Sequence, residues 1–179
     1  MSGDLKIRTA PDNDLEAATA VTLASYAEFK DDMPPEIFDG YMDSIVSTMA
    51  SDRDTVEHII AERDGEIVAS VLLMPANRSV EGPDGEIYIV PLPEVRLLGV
   101  LPSERGKGVG RALVAECISR ARASGAAALS LHTIPFMLNA IKLYENMGFV
   151  HIPEEDVAPA PGVYVLAYRM DFVAQPITE

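Results

Sequence analysis

Hydrophobic and polar positions along the chain follow two periods in turn. Residues 4–8, DLKIR, alternate polar and apolar side chains, and that period of two predicts a short edge strand. From Pro11 and Asp12 the period becomes helical. Leu15, Ala18, Val21, Thr22 and Ser25 share one stripe, which runs out near Phe29. The segment KDDMPPEIFDGYMD interrupts it. A second helix is predicted from near Pro35 to about Met49, with Ile37, Phe38, Tyr41, Ile45 and Met49 turned inward. Residues 55–62 and 67–74 are strand-like and flank Arg63-Asp64-Gly65-Glu66, whose Asp-Gly pair signals a hairpin turn. A second pair is predicted from EIYIV at 86–90 and EVRLLGV at 94–100, punctuated by Gly82 to Gly85 and by Pro91 and Pro93.

The strand 94–100 empties into L-P-S-E-R-G-K-G-V-G, three glycines at every second position. A helix follows over about 108–124, with Val109, Leu113, Val114, Cys117, Ile118 and Ala121 in one continuous stripe and Gly125 at its natural stop. AALSLHT at 127–133 predicts a buried strand. Pro135 opens another helix, with Gly148 as its C-terminal cap. Two last strands, 149–152 and 164–170, enclose a proline-rich loop. This order predicts an α/β protein with a mostly antiparallel sheet and one parallel crossover.

At 179 residues the chain suits one domain, 1–179, able to bury a real core. No apolar run approaches a membrane span. The opening MSGDLKIRTAPDND lacks the apolar core of a secretion signal, and the lone Cys117 cannot form an internal disulfide. The expected compartment is therefore the cytoplasm. A net charge of −14 argues against nucleic acid as a partner. The same field favours a cationic acceptor such as an amine, or serves only to keep the protein in solution.

The glycine turn is the strongest chemical signal. It is not a Walker A loop, because Lys107 is followed by Gly108 and no Ser or Thr is placed for magnesium. Gly106, Gly108 and Gly110 also have the wrong spacing for the dinucleotide fingerprint, and the residue about 20 positions on, Ser130, is not acidic. What survives is physical. Glycines let the backbone approach a ligand closely, and a helix start offers free N–H groups at the positive end of its dipole. With Arg105 and Lys107 beside it, the turn suits a phosphate, above all a pyrophosphate.

R-G-K-G-V-G at 105–110 resembles the [QR]-x-x-G-x-[GA] acyl-CoA motif of the GNAT superfamily of N-acetyltransferases. L-L-G-V-L-P at 97–102 resembles that family's fourth strand, and N-A-I-K-L-Y-E-N-M-G-F at 139–149 its last core motif. The matched core spans about 94–150. The resemblance implies a GNAT-type mixed, mostly antiparallel central sheet with helices on both faces and splayed parallel strands that form the acyl-CoA cleft. Acetyl-CoA is the implied cosubstrate; separately, one Cys and no H-x-H or H-E-x-x-H spacing lead to the expectation of no metal. The pantetheine arm of acetyl-CoA would pair with main-chain groups of Leu98 and Val100, and the Leu98 amide would face the thioester oxygen as oxyanion donor. The pyrophosphate would rest on the turn and helix start formed by Arg105, Gly106, Lys107, Gly108, Val109, Gly110 and Arg111.

The same resemblance places Tyr144 as the general acid that protonates the departing thiolate. Otherwise it is a helix-face aromatic. Asn139, near the mouth of that helix, either binds the pantetheine or its phosphate or is a surface or capping amide. The amine must lose a proton before it attacks, to a base or a water chain; the resemblance puts that base on the fourth strand, six residues before Val100, at Glu94, the alternative being a solvated carboxylate beside Pro93. Strand alternation puts Glu94, Arg96 and Leu98 on one face if no bulge intervenes. Arg96 either weakens that base, binds an acceptor carboxylate, or points to solvent. His132 reads as a core or edge histidine, and His58 and His151 lack partners in sequence. Cys117 reads as inert packing.

The reading is direct transfer of an acetyl group to a primary amine, on a small molecule or a protein, in a ternary complex. The alternative is a non-catalytic acyl-CoA sensor or interaction protein on the same fold. The segment 20–50, with Tyr26, Phe29, Met33, Phe38 and Tyr41, is where acceptor choice is expected. No nucleic-acid or membrane partner is expected. The strands EIYIV and VYVLAY leave a homodimer open.

Overall fold

The structure is a computed structural model and describes residues 3–50, 54–82, 84–160 and 163–172. The chain divides into two compact units. One comprises 1–74 and 96–116, the other 75–95 and 117–179. The strands form a mostly antiparallel sheet with one parallel pair, accompanied by helices. No helix among the described residues is long and apolar enough to cross a membrane.

The first unit opens with β1 (Leu5–Thr9), a 3-10 turn at Asp12–Asp14, α1 (Leu15–Tyr26), a second 3-10 turn at Ala27–Asp31, and α2 (Pro35–Met49). The helical stripe read from the sequence is the buried face of α1: Ala18, Val21, Thr22, Ser25 and Tyr26. In α2, Phe38, Ile45 and Met49 are buried, Tyr41 is half-buried and Ile37 is exposed. Strands β2 (Glu57–Arg63) and β3 (Glu66–Met74) form the expected hairpin. Asp64 and Gly65 both take positive φ, 53° and 86°, as the tight turn of a right-twisted hairpin requires. β3 buries every residue from Val68 to Met74, so IVASVLLM is a strand covered on both faces. Its one polar member, Ser70, lies 2.5 Å from the Thr22 hydroxyl, which donates to or accepts from it. The strand order here is β1-β2-β3 and then the later part of β6 (Glu94–Val100).

In the second unit, β4 (Arg78–Glu81) pairs antiparallel with β5 (Ile87–Val90) in a small sheet of their own. This corrects the expected pairing of 86–90 with 94–100. Pro91 and Pro93 remove two donors and hold the residues before them extended, so Pro91-Leu92-Pro93 cannot close a tight hairpin. The partner, Arg78-Ser79-Val80-Glu81, is too short to announce itself by periodicity.

The first residues of β6 pair in parallel with β7 (Ala128–Thr133), Glu94 against Ser130 and Val95 against Leu131. β10 (Val163–Asp171) runs antiparallel to β7 and carries β8 (Val150–His151). It also carries β9 (Val157–Ala160), a strand inside what the sequence reads as a proline-rich loop. α3 (Val109–Ala123) continues from one unit into the other with Leu113, Val114, Cys117 and Ala121 fully buried. The last helix, α4 (Leu138–Asn146), starts three residues after Pro135, not at it. Met137 is its cap residue and makes no side-chain capping bond. Gly148, with φ of 98°, ends the turn that follows.

Candidate active site

In the first unit the candidate residues lie on β6 and the turn beyond it. β6 does not alternate as a flat strand would. Leu97 takes φ of 51°, a left-handed conformation that is rare for a leucine and is the mark of a bulge. Glu94, Val95 and Gly99 are buried, Arg96 is exposed, and Leu97, Leu98 and Val100 are half-buried. The face expected to hold Glu94, Arg96 and Leu98 in the absence of a bulge is therefore interrupted between Arg96 and Leu98. Gly99 passes against α1: a Cβ there would lie 3.1 Å from the Thr22 Cα and 3.2 Å from the Ser25 hydroxyl. Only a residue without a side chain lets the strand approach so closely.

Beyond Val100, the Leu101 N–H donates to the Val68 carbonyl at 3.0 Å, and a 3-10 turn at Pro102–Glu104 leads to the glycines. Gly106 and Gly108 adopt φ of 72° and 81°, and a Cβ at either would meet nothing within 4 Å. Their requirement is conformational, and the space beside them is open. The Ala112 N–H reaches the Gly108 carbonyl at 3.0 Å and closes the first turn of α3. The amides ahead of it find no acceptor within their own helix, as at every helix start. Val109, Gly110 and Arg111 thus stand at the positive end of a 15-residue helix.

The two cations of the turn have separate duties. Arg105 donates through Nε to the Val100 carbonyl at 3.2 Å, through Nη2 to the Ser25 carbonyl at 3.0 Å and through Nη1 to Glu28 at 2.5 Å. Its guanidinium straps the end of α1 to the end of β6, so its fork is already engaged. The Val100 carbonyl, one of the main-chain groups expected along the pantetheine arm, accepts one of these bonds. Lys107 stays half exposed and donates to Glu104 at 2.9 Å. That bond holds the Glu104 carboxyl below the ordinary carboxylate range, with a further contribution from Arg63.

An aromatic group sits on the helices of this unit. Tyr26 meets Phe29 and Tyr41 edge to face, with centroids 6.1 and 5.9 Å apart. Burial pushes the Tyr41 phenol up to about 12 against the opposing charge of Arg96.

The second unit gathers a charged cluster that sequence reading did not assemble. The Glu94 carboxylate is buried and takes Arg78 from β4 on Oε2 and His132 Nδ1, at 2.7 Å, on Oε1. His132 is the one exposed residue in β7, whose other five positions are buried. Asp156 accepts the Ala167 N–H at 2.8 Å, and His151 Nε2 lies 2.9 Å from the same carboxylate. The Ala167 amide chiefly, then His151, holds Asp156 below its ordinary range, and the charge of His132 acts in the same direction. His151 stacks on Tyr168, with centroids 5.2 Å apart. Arg78 carries no motif and stands 16 residues from Glu94, so no local pattern could have paired them. His132 had one signal, a polar side chain in an otherwise apolar strand.

On α4, Tyr144 is buried and packs edge to face on Phe149 at 5.9 Å, while its carbonyl accepts the Met147 and Phe149 amides. Asn139 is exposed in the first turn. It is not the capping residue, a position held by Met137.

The chain belongs to the acetyltransferase (GNAT) family, whose model matches residues 22–149. It is 38% identical over 96 residues to a mycothiol acetyltransferase of Acidothermus cellulolyticus, a stretch covering 51% of this chain and 29% of that protein. The chain thus spans less than a third of that relative's length. Among solved structures it is similar to the ribosomal-protein-S18-alanine N-acetyltransferase of Escherichia coli (TM-score 0.68, 16% identity, 98% of this chain and 99% of the other). It is also similar to the PaiA N-acetyltransferase of Thermoplasma acidophilum in complex with coenzyme A (TM-score 0.65, 15% identity, 92% and 98%). At such identities the structural likeness concerns the fold.

Proposed function

We propose that the protein moves an acetyl group from acetyl-CoA to a primary amine by direct attack in a ternary complex. The observation that carries this reading is the turn at Arg105 to Gly110. Two glycines in positive φ lead into the start of α3, the positive end of its dipole, an arrangement of the kind a pyrophosphate fits. The coenzyme A in the PaiA neighbour supports the choice of cofactor. The mycothiol acetyltransferases support acetyl transfer as the reaction. They do not carry the acceptor over, because the match spans only a part of their length.

In this mechanism the Leu98 amide and main-chain groups at Val100 hold the thioester end of the cofactor, and Gly106 to Arg111 hold its pyrophosphate. Asn139 assists along the pantetheine. The proton of the amine leaves through Glu94 or a water. The nitrogen attacks the thioester carbonyl, the Leu98 N–H stabilises the oxyanion, the carbon–sulfur bond breaks, and Tyr144 protonates the thiolate. The test is release of free coenzyme A thiol from acetyl-CoA with and without a panel of spermidine, tyramine and L-lysine. Amine-dependent release supports transfer. Saturable acetyl-CoA binding with no amine-dependent release would favour a sensor instead.

A further inference from the structure

We propose that Arg96 and the Tyr41 hydroxyl form an anion site for the acceptor, and that the acceptor is an amine that also carries a carboxylate, an amino acid. The inference rests on the acetyl-transfer reading above and names the substrate class for it. Every residue of the site belongs to the first unit: Tyr41 on α2, and Arg96 and Leu98 on β6. Arg96 is the exposed residue of β6, beside a β3 that is buried from Val68 to Met74. The chain has 28 Asp and Glu against 14 Lys and Arg, so carboxylates are abundant partners for its cations. Arg8, Arg63, Arg78, Arg105 and Arg169 each pair with one. Arg96 makes no hydrogen bond or ion pair with any described residue. Glu28, at the end of the same helical layer, is taken by Arg105 instead.

Tyr41 is the second donor. Its ring meets Tyr26 edge to face, which holds the side chain between α1 and α2, and its hydroxyl makes no hydrogen bond with a described residue. The positive charge of Arg96 reaches that phenol, so the two groups share one neighbourhood. Burial pushes the phenol up to about 12, and it stays protonated, a donor, at physiological pH. The guanidinium has N–H donors in a planar fork and no acceptor at all. An ammonium would be repelled here. A carboxylate brings the opposite charge and two coplanar oxygens that match the fork, with a lone pair left for the phenol. Leu98, whose amide faces the thioester in the proposed mechanism, stands two positions along the same strand, roughly 7 Å at ordinary strand rise. One small molecule bearing both an amine and a carboxylate bridges that interval, given the reach of the arginine side chain. The net charge of −14 works against a bare anion; the ammonium of a zwitterion offsets it, and the carboxylate then finds Arg96.

Two measurements decide the matter, and the first needs no turnover. Protein with carbon-13-labelled tyrosine rings is titrated by NMR with L-phenylalanine, L-lysine and L-leucine, and with phenethylamine, cadaverine and isoamylamine, the same molecules without the carboxylate. Tyr41→Phe assigns the Tyr41 signal. The amino acids should move that signal saturably, the amines should not, and Arg96→Gln should abolish the response. A signal that no amino acid of the panel moves at millimolar ligand, or that the amines move equally, overturns the proposal. The second measurement compares kcat/KM within each acid and amine pair under saturating acetyl-CoA. Wild type should favour the acid by about tenfold or more. Arg96→Gln should bring that ratio near one, chiefly through KM, and Arg96→Lys, which keeps the charge without the fork, should fall between. Tyr41→Phe should lower the ratio by a few-fold, the share of one neutral donor. A wild-type ratio near one, or an unchanged ratio in Arg96→Gln, contradicts the site and leaves the transfer reading standing. A saturable Tyr41 response with no coenzyme A release from any amine refutes the transfer reading, and the acceptor assignment with it.

Discussion

In the proposed mechanism Tyr144 carries the departure step, and its test is a single atom. Tyr144→Phe keeps the ring that packs on Phe149 and deletes only the hydroxyl. Turnover should fall by about 10²-fold or more while acetyl-CoA affinity stays within about twofold. Unchanged turnover would remove the phenol from the chemistry. Tyr41 makes a different prediction, about stability. Its folded value of about 12 exceeds the value near 10 of an unfolded tyrosine, because burial penalises the phenolate. Above pH 10 the unfolded chain therefore loses a proton that the folded one keeps. The stabilisation is complete below pH 10 and is lost as the pH climbs toward 12, at a slope of at most about 1.4 kcal/mol per pH unit. Urea denaturation of Tyr41→Phe at pH 9 and pH 11 should show a smaller loss than wild type. An identical loss would mean that the phenol ionises freely in the folded state.

Between β6 and α1 the decisive feature is closeness. A side chain at Gly99 would press on the backbone of Thr22, which cannot step aside as a flexible side chain would. Gly99→Val should cost about 1–3 kcal/mol in chemical denaturation, by overpacking. A wild-type midpoint would show that the strand and helix have slack. At the α3 start, Gly108→Glu places an acidic side chain on a residue with φ of 81° and should abolish acetyl-CoA binding; Gly108→Asn, which tolerates that conformation, should bind far better. Both are checked for folding by circular dichroism, and an unaffected Glu variant would displace the pyrophosphate from this turn. Elements with a clean period were legible in the sequence: α2 runs from Pro35 to Met49 as its stripe implies, and the Asp64-Gly65 hairpin turns where its dipeptide says. What escaped was non-local or aperiodic. β4 and β9 are four-residue strands defined by their partners, and the Leu97 bulge is an irregularity that no alternation can reveal.

At the scale of the molecule, the glycine motif announced the family, because its chemistry is written in consecutive residues. The charged cluster is instead assembled by the fold from β4, β6 and β7, and Arg78, Glu94 and His132 stand too far apart in sequence to be joined by spacing. Net charge, −14 over 179 residues, accords with a cationic acceptor without naming one. The account depends on whether the turn between β6 and α3 is a coenzyme A cradle. The direct measurement is calorimetric titration of the full chain with acetyl-CoA, with coenzyme A alongside. The account predicts saturable binding of one equivalent per chain by both. No heat of binding at millimolar ligand would contradict it, and the roles proposed for Leu98, the glycine turn and Tyr144 would fall together.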